Sequence, residues 1–234
     1  MTRLILAFAA VVMASTSAAQ VSISFEELGP QPAGFIFATP LRNQIPGAAF
    51  AGPGPLDGGA VLNQMGNFGV DARSGEHFLG FNSLSGAMMA NGGLPRDPET
   101  ITFAQAVGEV SIWAAGGFDT NSFTMLAFNA AGVQVGMDQV QTQDWAELRI
   151  VAQGIVSIRL TAISGDEGWL YDDLSTGAGC YPDCNADGAL TVADFGCFQG
   201  KYVTGNSYAD CNGNGSLTVA DFGCFQGKYV TGCP

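Results

Sequence analysis

The chain has 234 residues, 47% of them hydrophobic and only 12% charged, and its 21 acids against 8 bases leave it at −13 near neutrality. That balance excludes a surface for nucleic acid or anionic membrane, which needs clustered Lys and Arg. All six cysteines lie between residues 180 and 233, so composition already divides the chain before any element is drawn.

At the start, Arg3 precedes an apolar run over residues 4–13, and small residues lead to Ser17-Ala18-Ala19. This is the pattern of a secretory leader over residues 1–19. It predicts cleavage after Ala19, a mature chain from about Gln20, and an extracellular or cell-surface destination. The run is too short to span a bilayer, and no later segment has the length or apolarity of a membrane span.

Residues 20–175 form the next unit. From residue 21 to 175 the only bases are five arginines, set against sixteen acids. Short runs rich in β-branched and aromatic residues, separated by turn residues, predict strands over residues 21–25, 77–81, 100–103, 110–114, 122–128, 146–151, 155–162 and 169–174. Alternation is clear in Val110-Ser111-Ile112-Trp113 and over residues 155–162, and Asn129-Ala130-Ala131-Gly132 reads as a hairpin turn. No long stretch has helical period. About eight strands over this length predict a mainly β fold, a single jelly-roll β-sandwich large enough to bury its own core. The Gly/Pro-rich residues 30–59 read as a long surface loop over one sheet.

Phe25-Glu26-Glu27-Leu28 and Trp169-Leu170-Tyr171-Asp172-Asp173-Leu174 together resemble the first and last strands of secreted bacterial jelly-roll domains of the carbohydrate-binding and galactose-binding-like type. The resemblance implies that these strands are neighbours, and that Glu26 or Glu27 with Asp172 or Asp173 holds a structural calcium. Solvent-facing charge on edge strands is the other reading of the same acids. Glycan binding needs aromatic platforms beside polar groups. The candidates are Trp113, Trp145, Trp169 and Tyr171, with Asn82, Asp119 and Asn121 as companions, and a polar insertion adds Asp71, Arg73, Glu76 and His77. No nucleophile elbow occurs, and His77 is the one imidazole for any hydrolytic triad. Two positioned carboxylates would suffice for a glycosidase, but no motif marks a pair.

After a linker at residues 176–179, residues 183–194 and 210–221 carry nearly the same twelve-residue loop. A calcium loop of this kind takes side-chain oxygens at positions one, three, five and twelve, a carbonyl at seven, and a water-linked group at nine. Asp183, Asn185, Asp187, Ala189, Thr191 and Asp194 fill those positions in the first copy. Asp210, Asn212, Asn214, Ser216, Thr218 and Asp221 fill them in the second. Gly188 and Gly215 occupy position six, where the chain turns sharply. The 27-residue offset continues through Phe195–Gly205 and Phe222–Gly232, an internal duplication. Val192, Phe195, Phe198 and Tyr202, like Val219, Phe222, Phe225 and Tyr229, make the apolar stripe of a short helix after each loop. Such helices depend on each other and on metal, so the reduced tail without metal is expected to be largely unfolded.

This duplication over residues 180–234 resembles a type I dockerin, the calcium-dependent module that joins secreted proteins to cohesin receptors. The resemblance implies two bound calcium ions and a cohesin-like receptor or surface scaffold as partner, met in either of two equivalent orientations. The family's recognition relies on hydroxyl residues at loop positions ten and eleven. Here those positions are Val192-Ala193 and Val219-Ala220.

Clustered, even-numbered cysteines in an exported module predict disulfides, and zinc is disfavoured because CxxC pairs are absent and His77 is remote. If a twofold axis relates the copies, the junction residues Asn206 and Ser207 map onto Cys233 and Cys180, so those two should meet. Cys184, Cys197, Cys211 and Cys224 then pair in any of three ways, all compatible with the symmetry. Loop one has three carboxylates and loop two has two, which predicts tighter calcium binding in loop one. Mutating Asp194 or Asp221 to Ala separates the loops.

These readings together predict a secreted, noncatalytic calcium-binding protein. Its sandwich binds an extracellular ligand of glycan type, and its tail tethers it through protein–protein contact. The alternative is a small polysaccharide-degrading enzyme, a glycoside hydrolase or lyase, carried by the same tail.

Overall fold

The computed structural model describes residues 20–29, 39–41, 44–52, 58–80, 98–163, 169–185 and 189–233. Residues 1–19, where a leader is expected, Asn82, Asp187, Gly188 and part of the 30–59 stretch lie outside these. Among the described residues ten strands precede two α-helices: β1 (Ser22–Ile23), β2 (Thr39–Pro40), β3 (Ala48–Ala51), β4 (Ala60–Asn63), β5 (His77–Gly80), β6 (Glu99–Ala115), β7 (Asn121–Asn129), β8 (Gln134–Thr142), β9 (Ala146–Ile163), β10 (Leu170–Gly177), α1 (Val192–Val203) and α2 (Val219–Thr231). The fold is mainly β, with both helices at the C-terminal end. No helix among the described residues is long and apolar enough to cross a membrane.

Hydrogen bonding follows the order β2-β4-β5-β10-β6-β9-β7-β8, with β1 on β10 and β3 on β6. All these pairings are antiparallel, and β1 meets β10 with Ser22 opposite Ser175 and Ile23 opposite Leu174. The first and last strands of the unit are therefore adjacent.

Two pairs of expected strands are in fact one strand each. Residues 100–103 and 110–114 both belong to β6, and 146–151 and 155–162 both belong to β9. The break read at Gln153-Gly154 is a kink within one strand. Gly154 takes φ +67 there, and a left-handed residue can bend a strand without ending it. Burial tracks the kink: Leu148, Ile150 and Ala152 face inward before it, Ile155 breaks that alternation, and Ile158 and Leu160 resume it. The β6–β9 register shifts around Val107 fall at the same bend, where Val107 pairs with Ile155.

The 30–59 stretch is not all loop. Residues 48–51 form β3, paired with β6, and Phe50 is buried edge-on to Phe25 at 6.2 Å between ring centroids. Its small residues hid this strand, because pairing comes from a partner far along the chain. At the expected hairpin, the Asn129 side chain accepts from the Ala131 and Val133 amides at 3.0 Å each. One large core runs between the layers, and a satellite of Leu62, Phe68, Phe78 and Leu170 lies at one end.

The tail has its own core of Tyr181, Phe198, Tyr208 and Phe225. Each of its helices begins with a capping box: Thr191 with Asp194, and Thr218 with Asp221. A cap of this kind contributes about 1 kcal/mol, which helps offset glycines in the helix interior.

Candidate functional site

In the second tail loop the side-chain oxygens turn inward onto the loop's own backbone. Asp210 accepts from the Asn214 amide at 3.0 Å and the Gly215 amide at 2.6 Å. Asn212 accepts from Asn214 at 3.1 Å, and Asn214 accepts from Ser216 at 2.8 Å. Gly215 has φ +80, as the sharp turn at position six requires. At position twelve, Asp221 accepts from the Asn212 amide at 3.3 Å and the Thr218 amide at 2.8 Å, tying the end of the loop to its start. The first loop repeats this: Asp194 accepts from Asn185 at 3.3 Å and from Thr191 at 2.7 Å.

Asp194 and Asp221 are fully buried. No ion pair between described residues reaches either one, and a buried carboxylate without a cationic partner is costly. The donors around each are oxygens alone: carboxylates, amides, hydroxyls and carbonyls. That set suits a hard cation such as calcium and not zinc. Among the described residues no three His, Cys, Asp or Glu side chains form a metal cluster. Loop two has two carboxylates among neutral oxygen groups, and Asp187 of loop one lies outside the described residues.

Three disulfides close the tail: Cys180–Cys233, Cys184–Cys197 and Cys211–Cys224. Such bridges belong with an oxidising compartment. The first joins the two ends of the module. Of the three arrangements open to the inner four, the one found keeps each bridge within its repeat, from the loop to the helix that follows.

The module is close to twofold symmetric in its contacts. Phe195 meets Phe225 edge-on at 5.2 Å, and Phe198 meets Phe222 at 5.1 Å. Phe195 contacts Tyr229 at 4.6 Å, and Tyr202 contacts Phe222 at 4.7 Å. On the axis side Tyr181 and Tyr208 stack with centroids 4.8 Å apart, and each hydroxyl donates to the other's backbone carbonyl. Burial, joined by neighbouring negative charge, raises the pKa of both phenols and keeps them as donors. The sequence reading missed this pair. The signal was present, because Tyr181 and Tyr208 are themselves 27 residues apart, just ahead of each loop.

In the sandwich, Glu26 accepts from the Glu76 amide at 2.7 Å and the His77 amide at 2.8 Å, and its other oxygen pairs with His77 Nδ1. Burial alone would raise its pKa, but the Glu76 amide and the His77 contacts hold it below the usual carboxylate value. Asp172 is fully buried and accepts from the Arg73 amide at 2.9 Å, the Ser74 amide at 3.2 Å and the Asp173 amide at 2.7 Å. Burial, aided by the Asp173 charge, pushes its pKa up to about 7 against those amides. Asp173, at φ +47, pairs with the Arg73 guanidinium and accepts from Ser74 Oγ at 2.6 Å. Glu27 turns back to the Ser24 amide at 2.9 Å. Glu26 and Asp172 thus grip the 73–77 segment from two sides, and Glu27 engages its own strand end. The four acids do not gather into one three-carboxylate group.

The aromatic candidates are not an open platform. Trp169 and Tyr171 are core residues. Trp145 leans on Phe78, and its indole N–H donates to the Asp71 carbonyl at 2.8 Å. The Arg73 guanidinium covers the Trp113 ring at 3.8 Å. Asn121 is buried, as is His77, which contacts Glu26 on one ring nitrogen and Asn63 on the other. Alternation cannot tell an inward tryptophan from an outward one when the register is unknown.

Met137 and Val133 are exposed on and beside β8, and two further exposed apolar groups share one end of the sandwich. Met65 is 73% exposed and Phe118 is 49% exposed. The turns that carry them are joined: a Cβ at Gly69 would stand 2.6 Å from the Phe118 amide, and Gln143 Nε2 donates to the Phe118 carbonyl at 3.2 Å. Beside Met65 lies an open hollow of about 300 Å³ walled by Gln64, Asn67 and Asp71. Asp119, next to Phe118, is exposed at the same end. An exposed phenylalanine in a Gly-Gly-Phe-Asp turn was the available sequence signal.

No family model and no curated protein matches the chain. Among solved structures, a DUF4465 family protein from Bacteroides caccae is similar at TM-score 0.45 and 15% identity, over 68% of this chain and 99% of its own. A cleaved adhesin domain of Lys-gingipain from Porphyromonas gingivalis is similar at 0.42 and 11%, over 69% and 99%. TmCBM61, solved with β-1,4-galactotriose, is similar at 0.34 and 16%, over 59% and 97%. No ligand is carried over from these to the present chain.

Proposed function

We propose that this chain is an exported, noncatalytic attachment protein whose tail is organised by two calcium ions. The observation that carries the reading is the pair of buried position-twelve carboxylates, Asp194 and Asp221, each folded back on its own loop with no cationic side chain to balance it. Asp183, Asn185, Asp187 and Asp194, with the Ala189 carbonyl and Thr191, would hold one ion. Asp210, Asn212, Asn214 and Asp221, with the Ser216 carbonyl and Thr218, would hold the other. The ions neutralise the buried charge and lock each loop to the start of its helix. In the sandwich Glu26 and Asp172 are taken up by the 73–77 backbone, so the calcium reading rests on the tail.

The tail serves as a dockerin-like tether to a cohesin-like receptor or surface scaffold. Its helices turn Val192, Val203, Val219 and Val230 outward at 78–83% exposure. Of these, Val192 and Val219 stand at loop position ten, where hydroxyls serve in the family it resembles, so its receptor would present an apolar face. The sandwich meets its ligand, of glycan type, at the end bearing Met65 and Phe118, where apolar surface adjoins amides and carboxylates able to bond hydroxyls.

The test has two arms. Calorimetry on the full chain should give two calcium ions at micromolar to millimolar supply, accompanied by a gain of helical circular dichroism. Passage over a panel of insoluble polysaccharides should give retention without release of reducing ends. A calcium-free tail at millimolar supply sinks the first arm, and turnover of a retained polysaccharide sinks the second.

A further inference from the structure

The tail's near-symmetry is broken by what it rests on. Two clefts separate it from the sandwich. The first, about 260 Å³, is lined by Arg149 and Met137 from the sheet and by Cys184, Lys201, Asn206 and Tyr208 from the tail. The second, about 430 Å³, is lined by Gln153 from the sheet and by Tyr181, Cys224 and Lys228 from the tail. The tail sides correspond under the 27-residue repeat: Lys201 lies over the Tyr208 ring at 4.9 Å and Lys228 over the Tyr181 ring at 5.0 Å. The sheet sides do not correspond. Strand β9 puts an arginine in one cleft and a neutral glutamine in the other.

Cys184, in the arginine's cleft, is the residue next to Asp183, the first ligand position of loop one. Arg149 is held by Glu109 at 2.7 Å through its Nε. That hydrogen bond leads the causes raising its pKa, burial opposes it, and the charges of Glu147 and Asp183 add to it through space. The guanidinium therefore already shares the negative charge that loop one would offer an incoming cation.

We propose that Arg149 lowers the calcium affinity of the first loop and couples loading of that loop to seating of the tail on the sheet. The inference rests on the reading of the loops as calcium sites. Calcium arriving beside Arg149 meets a positive charge across the cleft, while no residue of loop two lines either cleft. By linkage, calcium in loop one weakens the seating by the same factor that seating weakens calcium. The advantage loop one gains from its third carboxylate is thus offset in the full chain.

A calcium titration followed by amide NMR of the full chain reads both loops at once without disabling either. The Thr191 amide reports loop one and the Thr218 amide loop two, since each donates to its own position-twelve carboxylate. For charges roughly a Debye length apart near a surface, Arg149→Gln should tighten loop one about fivefold at low salt, with the gain largely erased near 0.5 M salt. Loop two should change less than about twofold. Arg149→Lys, which keeps the charge, should leave loop one near wild type. Glu109→Gln should weaken it, an opposite sign that general destabilisation would not produce alongside the first result. Two loaded loops with equal or no response to Arg149→Gln overturn this inference and leave the calcium reading standing. Failure of both loops to take calcium overturns the calcium reading and this inference with it.

Discussion

Replacing Cys180 and Cys233 together by alanine removes the bridge between the ends of the tail. That bridge spans a sequence separation of 53 residues, which in the chain-entropy treatment corresponds to about 4 kcal/mol of stabilisation. Each inner bridge spans 13 residues and corresponds to about 3 kcal/mol. Cys233 is exposed and Cys180 half-buried, so alanine there removes little core packing, unlike a change at buried Cys211. The loss should therefore be nearly all unfolded-state entropy. Both α-helices among the described residues lie in the tail, so urea unfolding followed at 222 nm in saturating calcium reports the module. The expected outcome is a loss of about 4 kcal/mol, or of order 20 °C in midpoint for a unit this small, with an unchanged urea slope. A loss below about 1 kcal/mol would show that the two ends are held together without the bridge, and would refute the argument.

Tyr181→Phe and Tyr208→Phe should each cost about 1 kcal/mol in the same assay, and more if the freed carbonyl stays dry, because each removes one buried hydroxyl donor. Equal losses are expected from the symmetry, and a clear inequality would count against it. In calcium-free buffer the sandwich, followed by tryptophan fluorescence, should lose stability as pH rises from about 4 through 7. The folded-state pKa of Asp172 lies above its ordinary value, so its contribution is complete below the unfolded pKa and lost as pH passes the folded one. Asp172→Asn should flatten that slope by a few kcal/mol across the window, and an identical slope in the variant would contradict it. Met65→Ser with Phe118→Ser should abolish retention on the bound polysaccharide while moving the sandwich midpoint by little, as both side chains are largely outside the core. Retention at wild-type strength would place the ligand elsewhere.

The tail was the legible part. Each proposed metal site is twelve consecutive residues, so spacing alone names its members, and duplication supplies an internal control. The end-to-end bridge followed from the same repeat, but the inner pairing did not, since symmetry permits every choice. Only the packing of each helix over its own loop selects Cys184 with Cys197 and Cys211 with Cys224.

The sandwich was legible as a class and opaque as a site. Alternating hydrophobicity over residues 110–114 and 155–162 carries the strand signal, and it is a local quantity. What each tryptophan faces is a matter of register and of remote partners. Trp113 lies under Arg73, Trp145 is tied to Asp71, and Met65 and Phe118 share one end because turns far apart along the chain, at Gly69 and Phe118, are joined.

By itself, then, the sequence determined a mainly β unit followed by a duplicated loop-and-helix tail with oxygen donors at fixed spacing, because those properties depend on neighbours along the chain. Tertiary structure alone decided which acids are spent on backbone amides, which aromatics are covered, and that β9 sets Arg149 in one cleft beside the tail and Gln153 in the other. Those outcomes depend on burial and on charges brought together from distant segments, and no local pattern encodes them.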